Sequence, residues 1–311
     1  MSPSEQTRRE FLSTASALGV VGALDASLAA SADAPPEGIG APAWYYQHFD
    51  ADYSLDVPEE GFGGWKREQL VISAAHTGVV LMHAWDAGTQ QQFPGWHRVV
   101  PYIPRADAIC RDVLPKLLDA VRDSGLPLFH VVGGGSYGRD LPGYKHAVEL
   151  AGPEPAPLPQ VESDPGLEKL TAFKKARGFP GTHNLEDIDK GFARLDFAPG
   201  TRPLDHEGVA ENGPQLFALC KEKGVNHLIY AGFAINWCLL LSPGGMAEMQ
   251  RYGVMCSALR QATTAVENKE SARREWCKEL GLWRVALAFG FVFDVDDFVA
   301  ALKTGPRVSV A

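Results

Sequence analysis

The 311-residue chain lacks a surplus of positive charge. Its 29 lysines and arginines are outnumbered by 38 aspartates and glutamates, which leaves a formal net charge of −9. Proteins that bind nucleic acid neutralise phosphate groups with basic side chains, and this composition offers no excess of them. We therefore expect no nucleic acid partner and look for a small-molecule substrate instead.

Long apolar runs are also missing, because no segment reaches the roughly 20 apolar residues that cross a bilayer. The N-terminal stretch "TRREFLSTASALGVVGALDASLAASADA" places Arg8 and Arg9 before a short apolar run and then small residues at 30–32. This order predicts a twin-arginine export signal over residues 1–32 and a periplasmic or otherwise extracytoplasmic protein with no membrane segment after its removal. An amphipathic N-terminal helix is the alternative, and Asp25 disfavours it.

Cysteine is scarce, and its spacing follows no pattern. The five cysteines are an odd number without a CxxC pair, so the sequence predicts no disulfide framework and at least one free thiol. A thiol redox protein is a weak hypothesis here, because no two cysteines lie close enough in sequence for one to act as the resolving cysteine of the other.

The order of apolar segments indicates the fold class. Residues 33–70 are rich in Pro, Gly and aromatic residues and predict an extended arm, and the domain proper is expected over 71–311. The strand-like runs "TGVVLMHAWD", "LPLFHVV" and "NHLIYAG" alternate with helical segments, which predicts an α/β fold: a three-layer α/β/α sandwich around a mainly parallel sheet. Residues 133–190, with the Pro-rich "AGPEPAPLPQ", predict an irregular insertion that forms a lid or a contact between copies in a homo-oligomer.

Helix signals are clear at several places. Apolar residues recur every four positions from Ile109 to Val121, and Pro115 should kink that helix before Gly125 ends it. Asn212 predicts the start of another helix, and a long helix is expected over "ENKESARREWCKELGLWRVALA".

Cys238 follows the carboxyl end of the strand in "LIYAGFAINWC", near the first turn of the next helix. Ligands of parallel α/β folds bind at this end of the strands, and backbone N–H groups there favour a thiolate. The other four cysteines lie within predicted helices or a strand, where cysteine packs as a small hydrophobe.

The segment "LIYAGFAINWCLLLSPGGMAEMQRYGV" resembles the isochorismatase-like cysteine hydrolases. Gly232, Ala234, Cys238 and Gly253 match that family's strand–turn–helix pattern, and the order of elements agrees over residues 71–302. The resemblance implies that Cys238 attacks a carbonyl carbon and that turn N–H groups, at Ala234, Trp237 and Cys238, hold the oxyanion. It also implies an aspartate and a lysine beside the cysteine.

The aspartate and the lysine of the resemblance are not matched cleanly. His83 stands where the family has its aspartate, and Asp86 follows three residues later, so both remain candidates for the base. Lys190 is nearest to the family's lysine position, and Arg194 is the alternative source of positive charge. Pro243 to Gly245 interrupt the helix after the nucleophile, which predicts a reshaped pocket wall and an unusual substrate.

We expect no metal and no other cofactor. His130, Asp140 and His146 lack the metal-binding spacing of nicotinamidase-type relatives, and Gly133–Gly135 lack a phosphate-binding pattern and predict a flexible loop.

Two functions remain open at this stage. One is an exported hydrolase that cleaves a small amide or related C–N bond through a Cys238 thioester, and the other is an inactive small-molecule binding protein on the same fold. An aromatic-lined pocket is indicated by the aromatic residues near the strand ends, namely Trp85, Phe93, Trp96 and Trp237.

Overall fold

The computed structural model describes residues 38–154 and 156–306. The predicted export signal, residues 1–32, lies outside the described residues and stays a prediction. In the described ranges, no helix combines the length and the apolar character that crossing a bilayer requires.

One sheet holds eight strands of the described chain: β1 (Gly38–Gln47), β2 (Gly64–Ser73), β3 (Thr77–Met82), β5 (Leu128–Val131), β7 (Gly208–Ala210), β8 (His227–Phe233), β9 (Met255–Thr264) and β10 (Val292–Phe293). Their spatial order is β2-β1-β10-β9-β8-β3-β5-β7. The run from β10 to β7 is parallel throughout, whereas β1 pairs antiparallel with both of its neighbours. Two short strands, β4 (Trp85–Asp86) and β6 (Asp196–Phe197), form a separate antiparallel pair.

Helices cover both faces of the large sheet. Their bounds are α1 (Pro94–Val99), α2 (Ile103–Asp112), α3 (Leu114–Ser124), α4 (Pro142–Ala151), α5 (Pro165–Arg177), α6 (Leu185–Ala193), α7 (Gly213–Lys223), α8 (Cys238–Leu241), α9 (Met246–Arg251), α10 (Trp276–Ala288) and α11 (Val295–Thr304). Buried side chains of α2, α3 and α11 pack on one face, and those of α4 and α7 to α10 pack on the other. The predicted three-layer α/β/α sandwich around a mainly parallel sheet is confirmed.

The central strand β3 shows why the sequence folds in this way. All six of its residues are buried. Val79 and Leu81 contribute to the core on one face, while Val80 and Met82 contribute to the core on the other. A continuous apolar run therefore marks a parallel strand that is covered on both sides.

Several helix ends were predicted correctly from single residues in the sequence. Asn212 caps α7 by accepting from the Gln215 N–H at 3.0 Å, and Gly125 ends α3 in the left-handed conformation. The helix that Pro115 was expected to kink is instead two helices, α2 and α3, because the proline stands in the first turn of α3.

Three regions differ from the sequence-based expectation. From Gly38 onward, the predicted arm forms the hairpin β1–β2 at the edge of the sheet, so strand pairing organises its aromatic residues. The predicted irregular insertion contains α4, α5 and most of α6, and the described residues of the Pro-rich stretch between α4 and α5 form no helix or strand. The long helix expected from residue 267 begins at Trp276, and Glu267 accepts from the N–H groups of Cys277 and Lys278 in its first turn.

Candidate active site

The candidate site lies where two central strands end side by side. Met82 of β3 pairs with Gly232 of β8, so the residues that follow both strands leave the sheet at the same edge. Gly232 has φ +118°, and a Cβ atom there would overlap the carbonyl oxygen of Met82. Only glycine allows both this positive φ and this close approach of the two backbones. The approach places His83 and the turn that leads to Cys238 at the same edge of the sheet.

The turn that carries Cys238 is held by hydrogen bonds to the end of β9. The Ile235 N–H donates to the Thr264 carbonyl at 2.9 Å. The Asn236 side chain donates to the Val266 carbonyl at 2.8 Å and accepts from the Val266 N–H at 2.9 Å. These bonds fix the backbone before Cys238, which is the first residue of α8.

The helix after Cys238 is interrupted, as the sequence predicted. Helix α8 has four residues, and α9 begins only at Met246. The Tyr230 hydroxyl donates to the Gly244 carbonyl at 2.8 Å, and Gly244 has a positive φ of 75°. Because α8 is a single turn, its dipole contributes less at Cys238 than a full-length helix would.

Cys238 and His83 line the same cavity, whose volume is about 270 Å³. Aromatic side chains form much of its wall: Trp85, Trp96, Tyr102, Phe179, Phe192, Phe233 and Trp237. Trp96 and Phe233 are buried, whereas Phe179 and Trp237 are 48% and 44% exposed and meet edge to face with ring centres 5.5 Å apart. The wall of the cavity therefore combines buried apolar side chains with exposed aromatic rings.

His83 is a buried imidazole with an unused nitrogen. It follows β3 with a φ of +54°, and its ring stacks on Trp85 at 4.7 Å between centres. His83 Nδ1 is buried and has no hydrogen-bond partner among the described residues. Burial lowers the pKa of His83 to about 4, so the ring is neutral near pH 7. A Cβ atom at Gly133 would stand 2.8 Å from His83 Nε2, so the glycine allows the ring its position.

Asp86 lies outside the wall of this cavity, although Trp85 and Ala87 on either side of it belong to the wall. Its carboxylate forms an ion pair with Arg194 at 2.8 Å and accepts from the Gly88 N–H at 2.9 Å. The hydrogen bond from Arg194 outweighs the opposing effect of burial and lowers the pKa of Asp86. Asp86 is thus paired with Arg194, and neither residue is part of the cavity wall that contains Cys238.

Lys190 is placed away from the cavity as well. Its side chain is 61% exposed, and its Nζ pairs with Glu186 one helical turn earlier at 2.6 Å. Ile188 and Phe192, on the same helix α6, do line the cavity. Residues four apart share a helix face, and Lys190 between them points elsewhere. The structure therefore brings together Cys238 and His83 but neither Asp86 nor Lys190.

Two polar residues of the cavity wall, Tyr102 and Asp107, were missed by the sequence reasoning. They belong to one side of α2 together with Ile103 and Ala106, at the i, i+1, i+4, i+5 spacing that marks a helix face. Burial, and after it the proximity of Cys238, raises the pKa of Tyr102, so its hydroxyl keeps its proton near pH 7. The spacing was visible in the sequence, but nothing in it linked this helix to Cys238.

Backbone donors in the turn are distributed unevenly. The Trp237 N–H donates to the Ala234 carbonyl at 3.1 Å and is occupied in the turn. The N–H groups of Ala234 and Cys238 have no acceptor within residues 38–154 and 156–306. Of the three expected oxyanion donors, Ala234 is buried and lies outside the cavity wall, and the Trp237 N–H is occupied. Cys238 is in the wall, and its N–H has no acceptor in the described part of the chain.

The other cysteines are placed as expected, and all five are free thiols. Cys110, Cys220 and Cys256 are buried, and burial raises the pKa of the first two to about 12 and that of the third further. Cys277 lies in α10 and its thiol contacts the Ser271 hydroxyl at 3.2 Å.

Metal-ligating side chains do not gather in the described part of the chain, where no group of three or more forms a potential ion site. His130 instead binds Glu207 at 2.9 Å, and His146 binds Glu222 at 2.7 Å.

No family model matches the chain, and no curated protein is significantly similar to it. Solved structures are similar to it at low identity. A cysteine hydrolase from Pseudomonas syringae pv. phaseolicola 1448A is 13% identical, with a TM-score of 0.43, over 75% of this chain and 95% of the other. An isochorismatase from Pseudomonas putida KT2440 is 18% identical, with a TM-score of 0.38, over 72% and 91% of the two chains.

N-carbamoylsarcosine amidase from Thermoplasma acidophilum is 13% identical, with a TM-score of 0.36, over 71% of this chain and 97% of the other. These proteins are of the kind that the sequence resembles. At such identities and TM-scores, the activity of this chain has to be argued from its own residues.

Proposed function

We propose that this protein is a cysteine-dependent hydrolase that cleaves a small amide or related C–N bond through a thioester on Cys238. The observation that carries the proposal is the shared cavity of a free thiol and a buried neutral imidazole with an unpartnered nitrogen. A nucleophile and a proton acceptor in one pocket are the two groups that acyl transfer to a thiol requires.

The first step forms a bond between Cys238 Sγ and the carbonyl carbon of the substrate, while the thiol proton passes to His83. The carbonyl oxygen becomes an oxyanion, and the donors proposed to stabilise it are the Cys238 N–H and the protonated Tyr102 hydroxyl, both of the cavity wall. The C–N bond then breaks, and the amine leaves with the proton from His83. Water attacks the thioester, which releases a carboxylic acid and restores the thiol.

The low basicity of His83 determines when the thiol proton is transferred in this mechanism. A cysteine thiol has an ordinary pKa of about 8.5, whereas that of His83 is about 4. Complete proton transfer before attack is therefore unfavourable, and the proposal places the transfer together with carbon–sulfur bond formation.

An inactive binding protein remains the second candidate. Asp86 and Lys190, which the resemblance assigned to a triad, stand outside the cavity wall and pair with Arg194 and Glu186. A cavity with Cys238 but without a carboxylate and a lysine beside it is compatible with ligand capture that does not lead to turnover.

Intact-mass spectrometry separates the two candidates. The mature protein is incubated with a panel of small amides that carry apolar acyl groups, and both the acyl adduct and the released amine are measured. The hydrolase proposal expects an adduct at Cys238 and amine release, both abolished in Cys238→Ala. Binding by wild type and Cys238→Ala alike, with neither adduct nor amine, supports the binding protein instead.

We further propose that the protein is exported through the twin-arginine pathway. The support is the sequence alone: Arg8 and Arg9 before Phe11, and the small residues at 30–32. Because that pathway carries folded proteins, the five free thiols are compatible with it.

A further inference from the structure

We propose that the Cys238 cavity selects ligands that carry a positively charged amine, and that Asp107 is the residue that recognises this charge. The inference names the substrate class of the hydrolase proposed above. It rests on that function only in so far as the bound ligand is cleaved, because recognition of the charge does not require turnover.

The composition of the cavity wall supports this selection. Seven aromatic rings surround the space, and Asp107 is the only acidic residue in the wall within the described chain. No lysine or arginine of that part of the chain belongs to the wall. Aromatic faces attract organic cations, and a carboxylate beside them adds a direct ionic partner. An anionic ligand would meet no positive charge in this wall.

Asp107 is available to a ligand. No cationic side chain in residues 38–154 or 156–306 forms an ion pair with it, although acidic residues elsewhere on the surface are paired in this way. The neighbouring charges that act on its carboxyl are His97, Asp86 and Arg111. Partial desolvation is the main reason that the pKa of Asp107 is raised, and this cost is offset when a cation binds.

The wall of the cavity has an exposed part and a buried part. Asp107 is exposed, as are Phe179 and Trp237, whereas Trp96, Ile103 and Phe233 are buried. A ligand with an apolar body and an ammonium group therefore places its body among the buried residues and its charge beside Asp107, in the exposed part of the wall. The expected substrates are small amides that carry a separate ammonium group.

Binding to the Cys238→Ser protein tests the inference without any chemistry. The probes are 2-phenylethylammonium, the neutral 2-phenylethanol and the anionic 3-phenylpropanoate, and their dissociation constants are measured by calorimetry at low salt. We expect the ammonium probe to bind tightest and the anion weakest. Asp107→Asn should weaken the ammonium probe roughly fivefold and leave the alcohol unchanged, as expected for one partly exposed ion pair.

The control is Asp112→Asn on the same helix α2, where the carboxylate pairs with Arg111 and lies outside the cavity wall. Asp112→Asn should leave all three dissociation constants unchanged. Asp107→Glu keeps a carboxylate and should therefore keep the preference for the cation that Asp107→Asn loses. Equal binding of the ammonium and alcohol probes, or no binding of either, overturns the inference. So does a preference that survives in Asp107→Asn. None of these results bears on acylation of Cys238, which the mass-spectrometric test of the hydrolase measures separately.

Discussion

The carbonyl oxygen of Met82 occupies the space that a side chain at Gly232 would need. This contact joins the ends of β3 and β8, from which the chain continues to His83 and to Cys238. The register of these two buried strands therefore sets where the site lies. His83 and Cys238 reach the same cavity because the strands that precede them end side by side.

Replacement of Gly232 by alanine should destabilise the protein and disrupt the site together. The added Cβ overlaps a carbonyl oxygen, and φ +118° is unfavourable for any L-residue, so we expect a loss of at least about 2 kcal/mol in the free energy of unfolding. Urea denaturation measures this loss. Gly253→Ala is the control, because Gly253 also has a positive φ, of 80°, but has nothing within 4 Å of the added atom. An equal cost in both variants would show that φ alone matters.

A buried ion-pair cluster beside the parallel strands should contribute strongly to stability. Glu207 accepts from Arg122 at 2.7 Å and from His130 at 2.9 Å. Burial opposes its ionisation, but these hydrogen bonds prevail and lower the pKa of Glu207 to about 2. Glu207→Gln leaves both partners without their carboxylate and should cost about 3–5 kcal/mol.

The Glu207 contribution also has a defined pH range. It is present above the ordinary pKa of a glutamate and is lost as the pH falls from about 4.5 to about 2. Unfolding free energies of wild type and Glu207→Gln should therefore converge at low pH. Glu186→Gln, in the exposed pair with Lys190, is the control and should behave like wild type at every pH. A constant gap between wild type and Glu207→Gln down to pH 2 would contradict the assignment.

Acid should also destabilise the protein through its buried histidines. Burial lowers the pKa of both His83 and His227 to about 4, so between pH 4 and 6.5 the unfolded chain binds protons that the folded chain does not. Stability should fall by about 3 kcal/mol for each histidine as the pH decreases through this range. His227→Gln should reduce the pH dependence, whereas the exposed His206 gives a control variant, His206→Gln, that keeps it. The same slope in all three proteins would refute the assignment.

Export depends on residues outside the described structure and is tested in cells. The double substitution Arg8→Lys with Arg9→Lys should retain the full-length precursor in the cytoplasm, since the paired arginines are the proposed signal. Immunoblots of cytoplasmic and periplasmic fractions measure the distribution, with the variant Lys66→Arg in β2 as a control for expression. Normal processing and export of the double variant would contradict the proposal.

Much of the fold could be predicted from the sequence because its signals are local. The buried run of β3, the cap at Asn212 and the glycine at 125 each act within a few residues, and each was interpreted correctly. The hairpin β1–β2 was missed because the alternation in β1 is short and rests on the small residues Ala41 and Ala43 beside Ile39, with Gly40 and Pro42 between them.

The candidate site was predicted only in part, for the same reason. Cys238 and His83 follow strands whose ends could be located in sequence, so their convergence was foreseeable. The ion pairs that hold Asp86 at Arg194 and Lys190 at Glu186 depend on side-chain directions that a linear pattern does not contain. Tyr102 and Asp107 enter the cavity wall through the packing of α2, which no local signal specifies.

The central claim is that Cys238 is the reactive thiol of this cavity, and residue-resolved alkylation tests it most directly. Rate constants for iodoacetamide labelling are measured by peptide mass spectrometry of the native protein from pH 5 to 9. Cys238 should react first and be protected by a ligand in the cavity, whereas Cys110, Cys220 and Cys256 should react slowly because burial raises their pKa values and blocks access. Labelling of Cys238 no faster than that of Cys110 or Cys256 would contradict the account.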